Sequence, residues 1–182
     1  MQSIQTVSEN TIYVGASDRR LAKFENLFPI PRGVSYNAYV ILDEKTALLD
    51  TADASVGAQF LENVAAALDG RKLDYLIVDH MEPDHAAMIE AVLVRWPDLR
   101  LVVNAKTLPM LKMYFPTDSA AIDDALVVKE GDTLDLGKHK LTFVMAPMVH
   151  WPEVMMTFDT TTGTLSVSYT HLRAHETTLH LV

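Results

Sequence analysis

The sequence contains no cysteine among its 182 residues. Disulfide bonds, zinc fingers and thiolate-ligated iron–sulfur clusters are therefore excluded, because each of them needs cysteine sulfur. Any metal ion bound by this chain must be held by histidine, aspartate and glutamate side chains.

The sequence also lacks features of membrane, secreted and nucleic-acid-binding proteins. No apolar run approaches the ~20 residues of a membrane-spanning helix, and residues 1–5 (MQSIQ) show neither the basic nor the apolar region of a secretory signal. Lysine and arginine number 15 against 24 aspartates and glutamates, and the formal net charge is -9. Such an acidic chain is a poor partner for nucleic acid or an anionic membrane surface, and we expect a cytoplasmic protein.

The chain has enough apolar residues, 49%, for the core of one ordinary domain. A hairpin is predicted from residues 35–42 and 46–49, joined by Asp43-Glu44-Lys45. The other predicted strands are residues 11–14, 74–78, 99–104, 125–129, 140–145, 153–158 and 164–165. The predicted helices are residues 56–68, 86–96 and 107–114. Hairpin strands followed by alternating strands and helices predict an α/β fold with a mixed sheet covered by helices.

The densest group of metal-ligand side chains is His80-Met81-Glu82-Pro83-Asp84-His85, directly after the predicted strand 74–78. In an extended stretch stiffened by Pro83, alternate side chains point to one side, and His85 then begins a helix. Paired carboxylates need a cation between them, and imidazole with carboxylate suits iron, manganese or zinc. We interpret the motif as half of a dinuclear metal site. The alternative is a solvated helix start with Asp84 as N-cap.

Four other polar residues need interpretation. His150, in Ala146–Pro152 (APMVHWP), leaves a strand that is expected beside the first motif, and we predict it to be the remote ligand. Asp50 either orients a ligand histidine from behind or caps a loop. Asp79 is expected to be structural, and His139, between two lysines in a turn, is expected at the surface.

The last sixteen residues, 167–182, show neither helical nor strand periodicity. Residues 167–177 (VSYTHLRAHET) are the translation, without a mismatch, of a widely used transposon-library sequencing adapter, and residues 180–182 fit its continuation. We therefore expect a native domain at 1–166 and a non-native segment at 167–182, which is excluded from fold reasoning. Under this interpretation the true gene continues further, and His171, His175 and His180 are not metal ligands.

A histidine pattern HxHxDH after a strand is the signature of the metallo-β-lactamase superfamily. This chain has glutamate in place of the middle histidine, and in this it resembles the flavodiiron proteins, or A-type flavoproteins. The resemblance spans residues 11–165. The stretches that carry it are residues 18–20 (DRR), 24–29 (FENLFP), 33–37 (GVSYN), 45–50 (KTALLD), 80–85 (HMEPDH), 146–148 (APM), 150–152 (HWP) and 162–165 (TGTL).

The resemblance implies part of an αββα metallo-β-lactamase-like sandwich that holds two non-haem irons, followed by a flavodoxin-like domain with FMN. By matching position, His80, Glu82 and His150 would bind the iron nearer the flavin, and Asp84 and His85 the other. Flavodiiron proteins reduce dioxygen to water or nitric oxide to nitrous oxide. Their electrons pass through FMN from a rubredoxin-type or flavin reductase donor, and they usually form head-to-tail homodimers.

Three parts of the family pattern are missing: a bridging carboxylate after residues 163–165, a last histidine ligand, and the flavodoxin-like domain. We therefore expect the polypeptide as given to be catalytically inactive. Two rivals remain, a metallohydrolase of the same fold and a non-enzymatic diiron oxygen sensor. Glu82 argues against hydrolysis, because its hard, charged oxygen favours the higher oxidation states of iron, whereas a redox-silent zinc pair serves to activate water.

Overall fold

The computed structural model describes residues 3–24, 27–116 and 119–167. The adapter-like segment from residue 168 onwards, with His171, His175 and His180, lies outside the described residues. The strands of the described residues are β1 (Gln5–Ser8), β2 (Thr11–Tyr13), β3 (Ala16–Asp18), β4 (Lys23–Phe24), β5 (Phe28–Pro29), β6 (Val34–Tyr36), β7 (Tyr39–Leu42), β8 (Thr46–Leu49), β9 (Tyr75–Ile77), β10 (Arg100–Asn104), β11 (Leu126–Val128), β12 (Thr133–Asp135), β13 (Lys140–Met145), β14 (Met155–Asp159) and β15 (Thr164–Ser166). The helices are α1 (Gly57–Leu68), α2 (Pro83–Ala86), α3 (Ile89–Arg95), α4 (Thr107–Tyr114) and α5 (Ser119–Asp123).

Two sheets form the body of the domain. The larger has seven strands in the order β1-β2-β7-β8-β9-β10-β11, and the smaller has four in the order β12-β13-β14-β15. Strands β8, β9, β10 and β11 run parallel to one another, whereas the smaller sheet is antiparallel throughout. The carboxyl ends of the parallel strands therefore meet at one edge of the larger sheet, where ligands usually bind in open α/β sheets.

Alternate side chains of the larger sheet enter two separate cores, because successive residues of a strand point to opposite faces. On one face Leu48 and Leu76 pack with Phe60 and Val64 of α1. On the other face the larger sheet packs on the smaller one; the residues buried there include Ile41, Leu49, Ile77, Val102, Leu141, Phe143 and Met155. The layer order of the described residues is thus helix, sheet, sheet, which confirms the expected α/β class and part of the lactamase-like sandwich. No helix in the described ranges is long and apolar enough to cross a bilayer.

Most predicted elements are confirmed, and three have the predicted bounds: β8, β13 and α4. Two predictions are wrong. The single strand expected over residues 35–42 is divided into β6 and β7, which pair with different partners. The helix expected over residues 86–96 begins earlier, at Pro83, and is interrupted between α2 and α3. Strand β1, the short α5 and the ribbons β3-β6 and β4-β5 were not predicted.

The expectation that His139 lies at the surface is wrong: its side chain is buried. The turn between β12 and β13 folds against the β7–β8 hairpin of the larger sheet, and the backbone N–H of His139 donates to Asp43 Oδ2 over 2.6 Å. The ring Nδ1 of His139 lies 2.8 Å from Asp159 Oδ2 on β14. The His139–Asp159 pair lies within the smaller sheet, and the bond from the His139 backbone to Asp43 in the β7–β8 turn connects it to the larger one.

Gly15, between β2 and β3, is expected to tolerate no side chain. A Cβ atom there would overlap the backbone carbonyl oxygen of Tyr36 and approach the Tyr13 hydroxyl to 2.8 Å. Gly15→Ala should therefore lower the free energy of unfolding by about 2 kcal/mol, measured by urea denaturation. Gly57→Ala is the matched control and should cost less than about 1 kcal/mol, because its new Cβ would meet only the flexible end of Met88. Equal losses for both variants would contradict this account.

Candidate metal centre

The polar residues of the centre follow the parallel strands at the edge where these strands end. Asp50 comes directly after β8, His80 comes three residues after β9, and Asn104 ends β10. Since β8 pairs with β9 and β9 with β10, the three side chains start from neighbouring positions. The motif at residues 80–85 thus lies on a loop whose start is held by the rigid sheet.

Asp50 holds the loop through its carboxylate. Its Oδ1 atom accepts the backbone N–H of Asp79 at 2.7 Å and lies 3.4 Å from that of His80. Its Oδ2 atom lies 3.7 Å from Nδ1 of His85. Of the two interpretations of Asp50, the bonds to the Asp79 and His80 backbone agree with capping of the loop, whereas the 3.7 Å separation from His85 is too long for a hydrogen bond. Thr51 adds to the attachment, because its N–H and hydroxyl both donate to the carbonyl oxygen of His85, at 2.8 and 2.7 Å.

The first part of the centre consists of His80, Glu82 and His150. Oε2 of Glu82 lies 3.0 Å from Nε2 of His80 and 2.8 Å from Nε2 of His150. One ligand atom from each of the three side chains lies within 4.8 Å of the others. The arrangement therefore offers two imidazole nitrogens and one carboxylate oxygen to a single position, which suits a divalent cation.

The electrostatics of this group depend on the balance between burial and hydrogen bonds. Burial alone would raise the pKa of Glu82, yet its bonds with His80 and His150 outweigh burial and lower the pKa to about 2. Burial alone would lower the pKa of His80, yet its bonds with Glu153 and Glu82 raise it to about 9. Without a cation, the raised pKa of His80 favours a proton on that ring, which compensates the charge of the carboxylates. A metal ion can take over that role, since its ligands must be deprotonated.

The second part consists of Asp84 and His85. Nε2 of His85 lies 3.2 Å from Oδ2 of Asp84, and both side chains are buried. The His85 and His80 rings are adjacent, with centroids 5.4 Å apart. The prediction that Asp84 shares an extended stretch with His80 and Glu82 is wrong, because Asp84 lies in the first turn of α2. The N-cap of α2 is Glu82, whose side chain makes no capping bond, so the alternative of Asp84 as N-cap is also wrong.

His150 reaches the motif from the smaller sheet. It follows β13 in a tight loop in which Met148 N–H donates to the Trp151 carbonyl at 3.0 Å. Both Met148 and His150 adopt positive φ angles, 64° and 81°. Such left-handed conformations are costly for residues with side chains and are often found at functional sites. The loop places Nε2 of His150 2.8 Å from Oε2 of Glu82, so the predicted pairing of His150 with the first motif is present in the structure.

Sequence reasoning missed Glu153, which lies behind the first part of the centre. Its Oε1 atom is 2.8 Å from Nδ1 of His80 and accepts the N–H of Met81 at 3.1 Å. The only local signal was its position three residues after His150, and a partner 73 residues away along the chain cannot be read from spacing.

Asp79, which was expected to be structural, accepts a hydrogen bond from the Thr157 hydroxyl at 2.8 Å. Burial beside Asp50 raises the pKa of Asp79.

The buried polar atoms of Asp84 and His85 also fit a site for metal ions. Both carboxylate oxygens of Asp84 and both ring nitrogens of His85 are buried, and apart from the 3.2 Å contact between His85 Nε2 and Asp84 Oδ2 they have no hydrogen-bond partner within the described part of the chain. Buried polar atoms are nearly always paired, because leaving them unpaired is costly. The poor pairing of these atoms beside the His80–Glu82–His150 group is accounted for if cations bind here.

The comparisons of this chain with known proteins agree on one family. The family model described as "ODP family beta lactamase" matches residues 34–169. The nitric oxide reductase of Moorella thermoacetica is 36% identical over 154 residues, 84% of this chain and 38% of the relative. Among solved structures, rubredoxin oxygen:oxidoreductase of Desulfovibrio gigas has 31% identity and a TM-score of 0.80, covering 86% of this chain and 38% of that one.

The flavodiiron protein of Giardia intestinalis likewise has a TM-score of 0.80, with 26% identity, and the match covers 87% of this chain and 38% of that protein. The chain thus spans less than two fifths of the length of these relatives, at 38% of each. The resemblance inferred from the motif at residues 80–85 is confirmed by comparisons that cover most of the described residues. The chain belongs to the ODP family of beta-lactamase-like domains, in the form found in flavodiiron proteins.

Proposed function

We propose that this chain is the iron-binding part of a flavodiiron oxidoreductase that reduces nitric oxide to nitrous oxide, dioxygen to water, or both. The observation that carries the proposal is the placement of Glu82 between His80 and His150, at 3.0 and 2.8 Å. A carboxylate stands there instead of the histidine of the hydrolytic signature. The names of the relatives, which include a nitric oxide reductase and an oxygen oxidoreductase, support the same chemistry.

Five side chains would hold two irons: His80, Glu82 and His150 one of them, and Asp84 with His85 the other. When bound, iron supplies a change of oxidation state that zinc does not have. The charge of Glu82 adds to that of Asp84 and favours a more highly charged cation pair.

The surroundings of the site control its access. His80, Asp84 and His85 are buried, and the Trp151 ring packs nearly perpendicular to that of His80 with centroids 5.4 Å apart. The side chain of His150 retains 30% of its exposure. Small substrates therefore have their approach on the His150 side, while water is excluded from the other side chains, which strengthens the electrostatic interactions among them.

The rest of the enzyme follows from the same proposal. FMN would be held in a flavodoxin-like domain beyond this chain, and electrons would come from a rubredoxin-type or flavin reductase donor in the cytoplasm. A head-to-tail homodimer would bring the flavin of one subunit near the irons of the other. The name of the Desulfovibrio gigas relative, rubredoxin oxygen:oxidoreductase, supports a rubredoxin-type donor.

The proposal includes a native domain that ends near residue 166 of this sequence and a non-native segment at 167–182. Amplification and sequencing of the source DNA across this junction should show different codons after residue 166, continuing into further coding sequence. A native reading through residues 167–177 (VSYTHLRAHET) would contradict this boundary.

The protein from the uninterrupted gene is expected to contain two irons and one FMN per chain, and to consume nitric oxide or dioxygen when supplied with a reduced rubredoxin. Metal analysis and gas-consumption assays would measure both. His139→Asn is the control, because this buried histidine lies away from the centre and should leave iron content unchanged. Zinc with ester or lactam hydrolysis would support the metallohydrolase, and iron without turnover would support the oxygen sensor. The 182-residue polypeptide itself is expected to be inactive.

A further inference from the structure

The carboxylate of Glu153 packs behind His80, on the side of the ring away from Glu82. Nδ1 of His80 lies 2.8 Å from Oε1 of Glu153, and Nε2 of the same ring lies 3.0 Å from Oε2 of Glu82. Both the His80 and the Glu153 side chains are completely buried. The two nitrogens of the ring thus have separate partners on opposite sides.

The position of Glu153 is fixed from three directions. Asn104, at the end of β10, donates its side-chain N–H to the carbonyl oxygen of Glu153 at 2.5 Å. The next residue, Val154, accepts the N–H of Ala146 at 2.9 Å. The carboxylate itself accepts the N–H of Met81 at 3.1 Å. A buried carboxylate held this firmly restricts the orientation of the imidazole that it contacts.

We infer that Glu153 is a positioning residue of the metal centre: it keeps the His80 proton on Nδ1 and directs Nε2 towards the cation. This inference rests on the proposed metal site. A neutral imidazole carries one proton, and a carboxylate that accepts it at Nδ1 leaves Nε2 as the nitrogen that binds metal. The negative charge behind the ring also makes Nε2 a stronger donor.

The chain contains a matched pair that lies away from the centre. His139 and Asp159 form the same kind of contact, Nδ1 to a carboxylate oxygen at 2.8 Å, and both side chains are buried. Asp159→Asn therefore removes a comparable charge and weakens a comparable bond without touching the proposed ligands. It separates a role in metal binding from a general effect on stability.

The test is zinc binding by the 182-residue chain, measured by competition with a chromophoric chelator at neutral pH. Glu153→Gln keeps the shape and one hydrogen-bond acceptor but loses the charge, and should weaken zinc binding about tenfold. Glu153→Ala loses both and should weaken it about a hundredfold. Asp159→Asn should change zinc affinity by less than about twofold, since surrounding contacts matter chiefly next to ligands. Circular dichroism before titration shows whether each variant is folded, and Glu153→Gln carries the test if Glu153→Ala is not.

The tautomer of His80 gives a second readout that a merely structural residue would not change. In the zinc-loaded chain labelled with ¹⁵N-histidine, NMR should show the His80 proton on Nδ1, and this signal should weaken or exchange faster in Glu153→Ala. Unchanged zinc affinity and an unchanged tautomer in the Glu153 variants would overturn the inference while the metal site stands. Failure of the unsubstituted chain to bind zinc would overturn the inference together with the proposed site.

Discussion

Glu82→Ala is expected to weaken metal binding by more than about 100-fold, since even contacts behind a ligand are worth 10–100-fold. Oε2 of Glu82 contacts both His80 and His150, at 3.0 and 2.8 Å. Without it, two imidazoles remain around the cation and the negative charge of the group is lost. Two neutral imidazoles should bind ferrous iron weakly, because one of three ligands is lost and no ligand charge compensates that of the cation.

The measurement is iron content after reconstitution, together with zinc affinity by chelator competition. Glu44→Ala is the control, because this exposed glutamate lies in the β7–β8 turn, at the opposite end of β8 from Asp50 and the metal centre. It should bind metal as the unsubstituted chain does. Retention of tight iron binding in Glu82→Ala would show that Glu82 is not a ligand.

Glu82→His gives the opposite kind of change, because it restores the histidine of the hydrolytic signature. The variant should keep a three-ligand group with His80 and His150 but prefer zinc over iron, since a neutral nitrogen replaces a charged oxygen. Competition between the two metals during reconstitution would measure this preference.

Asp50→Ala is expected to have the largest effect on stability, a loss of about 3 kcal/mol in the free energy of unfolding. Two costs add. The buried N–H of Asp79, which Asp50 Oδ1 accepts at 2.7 Å, would lose its partner, at about 1–3 kcal/mol. Asp50 also has a positive φ of 54°, a conformation that costs alanine roughly 1–2 kcal/mol and that aspartate and asparagine tolerate better.

Asp50→Asn tests whether these two costs, or the loss of the negative charge of Asp50, lower the stability. Asparagine tolerates the same backbone conformation and can still accept the Asp79 N–H through its side-chain oxygen. It also removes the negative charge that, together with burial, raises the pKa of Asp79. Its unfolding free energy should therefore stay within about 1 kcal/mol of the unsubstituted chain. Urea denaturation of the three proteins measures both differences, and an equal loss in Asp50→Asn would assign the effect to charge instead.

Local sequence patterns predicted the strands that keep one pattern of burial, continuous or alternating, between two turns. β8 and β13 have the predicted bounds because each is a short apolar or alternating run between turn residues. The strand expected over residues 35–42 was wrong for a reason outside the pattern. Its two halves pair with different strands, β3 and β2, and the chain must change direction between them.

The sequence predicted which residues form the candidate site better than it predicted their geometry. His80, Glu82 and Asp84 stood out because three ligand-type side chains at alternate positions after an apolar strand are unusual. We inferred a common orientation of these side chains from an extended backbone. The backbone is not extended throughout, because α2 begins at Pro83. Proline is well tolerated in the first turn of a helix, so the residue taken as stiffening a strand in fact begins a helix.

The sequence by itself determined which ligand types this chain offers: no thiolate, a dense histidine–carboxylate motif, and a glutamate where the hydrolytic signature has histidine. His150 was predicted as the remote ligand, but only the tertiary structure decided which side chains lie against the motif and at what distance. His150 meets Glu82 across 68 positions of the chain, and Glu153 meets His80 across 73. Such contacts depend on how the smaller sheet packs on the larger one. That packing is set by the shared apolar core of both sheets, which no single segment of the sequence contains.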